Sequence, residues 1–267
     1  MKKSLKLHTE IFGQGESLTM IHGWGAQNAV WREWAQTYLA DHFLVTLVEL
    51  PGFGESPKLD LNKDDDVNQA WLSVLADAIP SQTHLLGWSL GGLMAQQLAL
   101  HYPQKVNKLV CLASTPRFTQ SDHWTRAISP ELMADFIKAL GLDSFALLSR
   151  FWKLQLQGSD GGRQLIKHFV NQMHGRTLPA FSSLLQGLEL LRDIDLRDAI
   201  SQIQAPTLWL LGEKDPLVPL EMAQTLLKIQ PTARLEVING AAHVPFFSHP
   251  EQTASKLIDF LKTENHG

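Results

Sequence analysis

A five-residue run, Gly-Trp-Ser-Leu-Gly at positions 87–91, constrains the fold of this chain more than any other segment. It directly follows the short apolar run His84–Leu86 and precedes a helix-favouring stretch, Leu93–Leu100. A serine between two glycines in this setting predicts a nucleophile elbow, a sharp turn from a strand into a helix. The glycines are needed because a side chain at either position would collide with the adjacent strand or helix.

Short apolar runs alternate with longer amphipathic runs along most of the chain. This alternation is typical of an α/β fold, in which helices cover a mostly parallel, doubly wound sheet. The predicted strands are Leu5–Ile11, Leu18–His22, Phe43–Leu50, Thr83–Gly87, Val106–Ala113, Thr207–Gly212 and Arg234–Ile238. The predicted helices are Trp31–Leu39, Asn68–Ala78, Leu90–His101, Leu220–Leu227 and Pro250–Leu261.

The alternation lapses between about Arg117 and Leu191, where the pattern predicts consecutive helices. Two apolar series stand at helical spacing there: Leu132-Phe136-Leu140 and Phe145-Leu148-Trp152. The glycine-rich run Gly158–Gly162 predicts a loop between two of these helices. We therefore divide the chain into an α/β core, residues 1–116 and 192–267, and an inserted helical lid, residues 117–191.

The composition favours a reducing compartment. The single cysteine, Cys111, excludes an internal disulfide, and its apolar surroundings predict a buried strand residue. No apolar stretch approaches the length of a membrane span, and Met1–Lys6 lacks the apolar region of a signal peptide. No cysteine pair or spaced histidine pair indicates a metal site. We expect a cytoplasmic monomer with no metal, no cofactor, and neither nucleic acid nor membrane as a partner.

Charge is distributed unevenly along the chain, whose net charge is −4. Residues 117–190 carry eight Lys or Arg and six Asp or Glu, a balance of +2; the remainder carries fifteen and twenty-one, a balance of −6. A basic segment on an acidic body favours contact with an anionic partner. Solvated helices would produce the same pattern.

A serine hydroxyl becomes a useful nucleophile only when a base takes its proton, so Ser89 requires a histidine. Downstream of the lid, His243 and His249 lie within predicted structure, whereas His266 lies near the end of the chain. His243 is in a small-residue loop directly after a predicted strand, where an imidazole could reach the elbow. His249 precedes Pro250 at a predicted helix start, which favours a capping or surface role. We expect His243 to be the base.

The base requires a carboxylate that fixes its tautomer, and Asp215 is the first candidate. It follows the predicted strand Thr207–Gly212, and loops at the carboxyl ends of such strands carry functional residues. A turn aspartate before a proline is the alternative role of this residue. Asp195 and Asp198 are alternative carboxylates, but they precede that strand.

The tetrahedral intermediate of acyl transfer requires hydrogen-bond donors for its oxyanion. The backbone N–H of Leu90, at the start of the elbow helix, is one predicted donor. The second is predicted in the run His-Gly-Trp-Gly at 22–25, after an early strand, with the backbone N–H of Trp24 as donor. We interpret His22 as a structural histidine that hydrogen-bonds this loop.

These motifs together resemble the α/β-hydrolase superfamily, over the whole chain. Five motifs resemble more narrowly the biotin-synthesis carboxylesterase family, which removes the methyl group from pimeloyl-acyl-carrier-protein methyl ester. They are His-Gly-Trp-Gly at 22–25, Leu-Pro-Gly-Phe-Gly at 50–54, Gly-Trp-Ser-Leu-Gly-Gly-Leu at 87–93, Gly-Leu-Glu-Leu-Leu at 187–191 and Ala-Ala-His-Val-Pro-Phe at 241–246. The resemblance implies an α/β-hydrolase fold, and a carboxylesterase whose oxyanion site includes Trp24 and Leu90.

The same resemblance implies binding residues in the lid. A family segment of the form Phe-x-x-Leu-Gln contacts the acyl chain, and it corresponds here to Phe151, Trp152, Lys153, Leu154 and Gln155. Family arginines grip the acidic acyl-carrier protein, and Arg150 and Arg163 stand at matching positions. Lys167 keeps the charge of a third arginine without its bidentate fork, and Ala146 replaces another. Helix packing by the aromatic pair, and solvation of the basic side chains, are the alternative roles.

Several rival functions remain at this point. A general short-chain carboxylesterase would use the same serine, histidine and aspartate without a carrier protein. A cofactor-free haloperoxidase or a C–C hydrolase would also keep the serine triad, whereas a dehalogenase requires a carboxylate at the elbow, and Ser89 argues against it. A protein with a vestigial triad could bind a hormone-like ligand instead.

Overall fold

A computed structural model describes residues 5–173 and 175–263, whose strands form a single sheet. The strands are β1 (Thr9–Gly13), β2 (Glu16–Ile21), β3 (Phe43–Val48), β4 (Thr83–Trp88), β5 (Val106–Leu112), β6 (Thr207–Gly212) and β7 (Arg234–Ile238). Their order across the sheet is β1-β3-β2-β4-β5-β6-β7. Strand β1 is antiparallel to β3, and every other neighbouring pair is parallel. The predicted α/β fold with a mostly parallel sheet is therefore confirmed.

Helices follow or separate the strands and cover the sheet. They are α1 (Arg32–Tyr38), α2 (Val67–Ala78), α3 (Leu90–His101), α4 (Pro130–Leu142), α5 (Ser144–Gln155), α6 (Gly162–Met173), α7 (Phe181–Asp193), α8 (Ala223–Ile229), α9 (Pro245–Ser248) and α10 (Pro250–Lys262). Short 3-10 helices lie at Asn28–Val30, Pro103–Lys105, Ile200–Gln202 and Leu220–Met222. None of the helices within the described ranges is both long enough and apolar enough to cross a membrane.

The central strands are short apolar segments with both faces covered. All six residues of β4 and of β6 are buried, as expected for parallel strands between two helical layers. Cys111 is fully buried in β5, which confirms its predicted place, and burial raises the pKa of its thiol. The elbow helix α3 is also almost entirely buried, so it serves as a rigid support at the centre of the molecule.

The first strand differs from its prediction, because β1 spans Thr9–Gly13 and not Leu5–Ile11. Its antiparallel partner sets these limits: Thr9 pairs with Val48, the last residue of β3, and Gly13 pairs with Leu44. Leu7 is buried in the core without belonging to the strand. Burial of Leu7 therefore produced the apolar pattern that we interpreted as a strand.

Helices α4 to α7 occupy the interval between β5 and β6, where consecutive helices are predicted. The side chains of Asp143 and Ser129 accept hydrogen bonds from backbone N–H groups at the starts of α5 and α4, which explains where these helices begin. A loop follows α5, as the glycine-rich run Gly158–Gly162 predicts. The division at 116/117 and 191/192 stays a prediction.

The sheet brings four loops together at its carboxyl edge. The elbow follows β4, and the loop at 22–25 follows β2. The loops that contain Asp215 and His243 follow β6 and β7. Since parallel strands end at the same edge, residues separated by more than 200 positions converge on one place.

Candidate active site

The backbone at Ser89 has the sharp turn expected of a nucleophile elbow. Ser89 lies between β4 and α3 with φ 56° and ψ −119°, in the positive-φ region that side chains rarely adopt. A Cβ on Gly87 would lie 2.2 Å from the backbone oxygen of Gly91, and one on Gly91 would lie 2.1 Å from that of Ile21. Neither distance is sterically possible. The two glycines are therefore required by close backbone approach, as the motif predicts.

Ser89, His243 and Asp215 form a continuous hydrogen-bonded relay. The Ser89 Oγ lies 2.9 Å from His243 Nε2, and His243 Nδ1 lies 2.8 Å from Asp215 Oδ2. Both partner side chains are fully buried, and Ser89 is 3% exposed. The structure thus brings together all three side chains predicted for the triad.

The surrounding backbone fixes the orientation of both partners. Asp215 Oδ1 accepts hydrogen bonds from the N–H groups of Leu217 and Val218, at 2.8 and 3.0 Å. The carboxylate therefore presents Oδ2 to the imidazole, and a carboxylate acceptor favours the His243 tautomer with a proton on Nδ1. This tautomer leaves Nε2 free to accept the proton of Ser89.

The alternative candidates lie elsewhere. The ring Nδ1 of His249 lies 2.9 Å from Ser248 Oγ at the start of α10, consistent with the predicted surface or capping position. Asp195 forms ion pairs with Arg117 and Arg197 at 2.9 and 2.6 Å. Asp198 is exposed, and His266 lies outside the described residues.

The loop at 22–25 lies directly against the nucleophile. A Cβ on Gly23 would be 3.1 Å from the Cβ of Ser89, so this glycine permits the close approach. Leu90 is the first residue of α3, where helical geometry leaves the backbone N–H without an intrahelical partner. The side chains of Trp24 and Leu90 both lie within 3.2 Å of the position that a Cβ on Gly187 would take. The two predicted oxyanion residues are therefore neighbours beside Ser89.

His22 holds the base of this loop through both ring nitrogens. Its Nδ1 lies 2.9 Å from the carbonyl oxygen of Gly23, and its Nε2 accepts the Leu50 N–H at 3.1 Å. A carbonyl can only accept and a backbone amide can only donate, so these partners select the neutral ring with its proton on Nδ1. Complete burial lowers the pKa of His22 from 6.5 to about 4. His22 hydrogen-bonds the loop, as we interpreted from the sequence.

Glu49 also supports this region, although we did not predict it from the sequence. Its carboxylate accepts the N–H of Asn28 at 3.1 Å and the N–H of Glu55 at 2.6 Å. It thereby joins the segment after the 22–25 loop to the Pro-Gly-Phe-Gly turn at 51–54. Burial raises the pKa of its carboxyl group. A single acidic residue at a strand end carries no local signal of these long-range contacts.

The predicted acyl-contact segment of α5 divides into three parts. Trp152 donates its indole N–H to the carbonyl oxygen of Gly25 at 2.9 Å, so it packs the lid onto the core. The ring of Phe151 meets that of Trp24 edge-on, with centroids 5.0 Å apart. The backbone carbonyl of Gln155 accepts the N–H of His243 at 3.0 Å.

An apolar groove lies between α4, α5 and α6, with a volume of about 560 Å³. Phe151 and Leu154 belong to its lining, together with Phe136 from α4. Arg150 and Lys153 add positive charge to the same lining. Phe151 therefore lies between the groove and Trp24, the predicted oxyanion donor.

Three basic side chains of the lid stay available to a partner. Arg150, Arg163 and Lys167 are all exposed, and none of them forms an ion pair within residues 5–173 and 175–263. Arg150 lies on α5, and the other two lie on α6. This arrangement fits contact with an acidic surface, while their binding role stays a prediction.

The turn after α5 contains a residue whose contact we did not predict. Ser159 is buried, and its Oγ accepts the backbone N–H of Ala242 at 2.9 Å. The next residue, Asp160, donates its N–H to the Gly240 carbonyl at 3.0 Å. A serine in a glycine-rich run is typical of any loop, so the sequence offered no sign that it fastens the loop of His243.

Comparison with known proteins agrees with this geometry. Residues 17–250 match the family model described as alpha/beta hydrolase fold. The chain is 40% identical over 249 residues to a protein of Aeromonas salmonicida named pimeloyl-acyl-carrier-protein methyl ester esterase, covering 93% of this chain and 96% of that protein. A Vibrio vulnificus protein with the same name is 37% identical over 257 residues, covering 96% of this chain and 98% of that one.

A solved structure shares the architecture as well. The esterase EaEST of Exiguobacterium antarcticum superposes with a TM-score of 0.84 at 25% identity, covering 97% of this chain and 96% of the esterase. The family model and the two relatives span almost the whole sequence, including the elbow and the loops at the carboxyl edge. The chain therefore belongs to the alpha/beta hydrolase fold family and, within it, to the carboxylic ester hydrolases whose curated members are named pimeloyl-acyl-carrier-protein methyl ester esterases.

Proposed function

We propose that this protein is a serine carboxylesterase that hydrolyses the methyl ester of pimeloyl-acyl-carrier protein in biotin synthesis. It acts as a monomer in the cytoplasm, without a metal or cofactor. The substrate assignment is supported by the names of relatives that are 37 to 40% identical over nearly the full chain.

The observation that carries the chemistry is the relay from Ser89 through His243 to Asp215. Its two hydrogen bonds, 2.9 and 2.8 Å, are within the range required for proton transfer. Burial of the two partner side chains strengthens their electrostatic interaction, because the surroundings have a low dielectric constant.

Acylation begins when His243 Nε2 removes the proton of Ser89 and Oγ forms a bond to the ester carbonyl carbon. The carbonyl oxygen becomes an oxyanion, which accepts hydrogen bonds from the backbone N–H groups of Trp24 and Leu90. Asp215 stabilises the positive charge that His243 acquires. His243 then donates the proton to the methoxy oxygen, the C–O bond breaks, and methanol leaves Ser89 acylated.

Deacylation repeats these steps with water as the nucleophile. His243 removes a proton from water, whose oxygen attacks the acyl carbon, and the same two N–H groups hold the oxyanion. The bond to Ser89 Oγ breaks as His243 returns the proton. The product is a free carboxylic acid whose other end is still attached to the carrier protein.

The lid supplies the binding surface for the rest of the substrate. The acyl chain and the phosphopantetheine arm follow the apolar groove beside Phe151, Leu154 and the helix segment that contains Trp152, Lys153 and Gln155. The acidic carrier protein contacts Arg150, Arg163 and Lys167. The positive charge of this face and the apolar lining of the groove support the assignment.

The proposed function is tested by methanol release from pimeloyl-acyl-carrier-protein methyl ester, with a p-nitrophenyl ester as a small substrate. The native protein should cleave both esters. Ser89→Ala should lower kcat by about 10⁴-fold or more, because the remaining groups cannot supply a nucleophile. Circular dichroism of the variant should be unchanged. Substantial activity in a folded Ser89→Ala protein would contradict the mechanism.

A general short-chain carboxylesterase is the alternative function. The structural similarity to EaEST, whose name specifies an esterase only, favours it. Cleavage of the p-nitrophenyl ester without cleavage of the carrier-linked ester would select this alternative and leave the triad assignment intact.

A further inference from the structure

One position on α7 contacts both proposed oxyanion residues. A Cβ placed on Gly187 would lie 2.7 Å from Trp24 Cδ1, 3.2 Å from Trp24 Nε1 and 3.2 Å from Leu90 Cδ2. Carbon atoms in ordinary van der Waals contact are separated by about 3.5–4.0 Å. An alanine at 187 would therefore push on the side chains of both residues that we propose as oxyanion donors.

Displacement of the Trp24 indole by such a contact would be energetically unfavourable. It is 1% exposed and donates its Nε1–H to the carbonyl oxygen of Leu184 on the same helix, at 2.9 Å. The ring of Phe151 meets it edge-on from α5. Helix α7 thus holds Trp24 through a hydrogen bond at 184 and through the missing side chain at 187.

We propose that Gly187 is a positioning residue for the oxyanion donors. Its lack of a side chain allows the Trp24 indole to lie against α7, and this position of the ring sets the direction of the Trp24 backbone N–H. The inference rests on the proposed function, because it assumes that Trp24 and Leu90 donate to the oxyanion. A displacement of a catalytic group by about 1 Å is sufficient to reduce turnover ~100-fold.

The test compares two glycines, both in helices of the segment between β5 and β6. Gly141 lies in α4 and would meet no atom within 4 Å if it carried a Cβ, so Gly141→Ala is a matched control. For hydrolysis of p-nitrophenyl butyrate, Gly187→Ala should lower kcat by roughly 10- to 100-fold, with KM changed by less than about 3-fold. A trifluoromethyl ketone, which forms a tetrahedral adduct on Ser89, should bind more weakly by a similar factor. Gly141→Ala should change neither value.

A second background separates positioning from stability. Trp24→Leu keeps the backbone N–H but replaces the rigid indole by a side chain that can turn away from an alanine at 187. Gly187→Ala added to Trp24→Leu should therefore lower kcat by less than about 3-fold, even though Trp24→Leu has its own effect. Thermal unfolding of the four variants (Gly141→Ala, Gly187→Ala, Trp24→Leu and the double variant) shows whether each one is folded. If Gly187→Ala proves unstable alone, a loss of kcat greater than about 3-fold between Trp24→Leu and the double variant would still overturn the inference.

Three results would overturn the inference. The first is a folded Gly187→Ala protein as active as Gly141→Ala. The second is an equal loss of kcat from Gly187→Ala in the native and Trp24→Leu backgrounds, which would show that the indole transmits nothing. The third is an unchanged affinity for the trifluoromethyl ketone. Failure of the proposed function is distinct, because it appears as activity in Ser89→Ala.

Discussion

His22 is a fully buried histidine whose neutral form joins two backbone segments beside the nucleophile. Protonation would place a second N–H opposite the Leu50 N–H and a charge in an apolar interior. Because burial lowers the pKa of His22 from 6.5 to about 4, the folded protein binds fewer protons than the unfolded chain between these values. The corresponding stabilisation is complete above pH 6.5 and is lost progressively as the pH falls from 6.5 to 4.

The first prediction concerns this loss of stability. Between pH 7 and pH 4, His22 should decrease the free energy of unfolding by about 3 kcal/mol. The quantity is the difference between the native protein and His22→Gln, each measured by urea unfolding at both pH values. The carboxylates and the other histidines titrate in both proteins, so their contributions to this difference cancel. Identical pH dependence of the two proteins would contradict the neutral state of His22.

At the scale of single residues, the sequence was sufficient for the chemistry and insufficient for its support. Ser89, Asp215 and His243 could be predicted because each follows a short apolar strand, and parallel strands end at one edge. Glu49 and Ser159 could not, because their partners are backbone N–H groups of loops whose packing the sequence pattern does not show. Ser159 and Ala242 are separated by 83 positions, a distance that no local pattern encodes.

At the scale of elements, the turn between α5 and α6 hydrogen-bonds the loop that contains His243, the proposed base. Three residues of that loop are held by this turn or by the end of α5: Gly240 by Asp160, Ala242 by Ser159 and His243 by the Gln155 carbonyl. Among these contacts, the Ser159 hydroxyl supplies the one made by a side chain. Its removal leaves the Ala242 N–H buried without its partner, which costs about 1–3 kcal/mol.

The second prediction therefore concerns Ser159→Ala. It should lower kcat for a p-nitrophenyl ester by about 10-fold, because the backbone next to His243 is no longer held in one position. Ser149→Ala is the control, since Ser149 lies on α5 and its hydroxyl has no hydrogen-bond partner within the described parts of the chain. Equal kcat values for the two variants would show that α5 and its turn do not support the histidine loop.

The observed limits of an element agree well with the predicted limits where the element has a sequence pattern of its own. Strands β6 and β7 and helix α3 match their predicted limits, because apolar or helix-favouring runs end there at glycine or polar residues. Helix α9, with only four residues, was not predicted, since a helix of one turn has no periodicity to detect. The limits of β1 depend on where β3 ends, which is a property of the pair and not of either segment.

At the scale of the whole molecule, charge separates the lid face from the body. The balance of +2 in residues 117–190 contrasts with −6 in the remainder, and the exposed Arg150, Arg163 and Lys167 lie within the positive part. An acidic carrier protein would be steered toward this face, and the attraction would weaken as salt screens it. A small neutral ester would experience no such field.

The third prediction follows from this difference. Simultaneous Arg150→Glu, Arg163→Glu and Lys167→Glu should lower kcat/KM for the carrier-linked ester by about 10-fold or more and abolish the decrease in kcat/KM that added salt causes. Hydrolysis of the p-nitrophenyl ester should change by less than about 2-fold, because the triad is untouched.

The control variant has the same net charge as the lid variant, but its three substitutions lie outside the lid. Lys6→Glu, Lys63→Glu and Lys228→Glu change the net charge equally at exposed positions outside 117–191. This variant should retain the native kcat/KM for the carrier-linked ester. Equal losses in both triple variants would assign the effect to net charge alone, and equal losses on both substrates would favour the general esterase.

The grip of α5 and α7 on the 22–25 loop bears on attempts to exchange lids among related enzymes. Trp152 holds the Gly25 carbonyl from one side and Leu184 holds the Trp24 indole from the other, so the insertion is not a modular cover. A chimera that imports only foreign helices would acquire new substrate contacts and lose the native scaffold of the reaction centre. Such a chimera would have an altered substrate preference and also a lower turnover of every ester. A lid exchange that preserves turnover must therefore transfer the 22–25 loop and the loop of His243 together with the helices, all from the same protein.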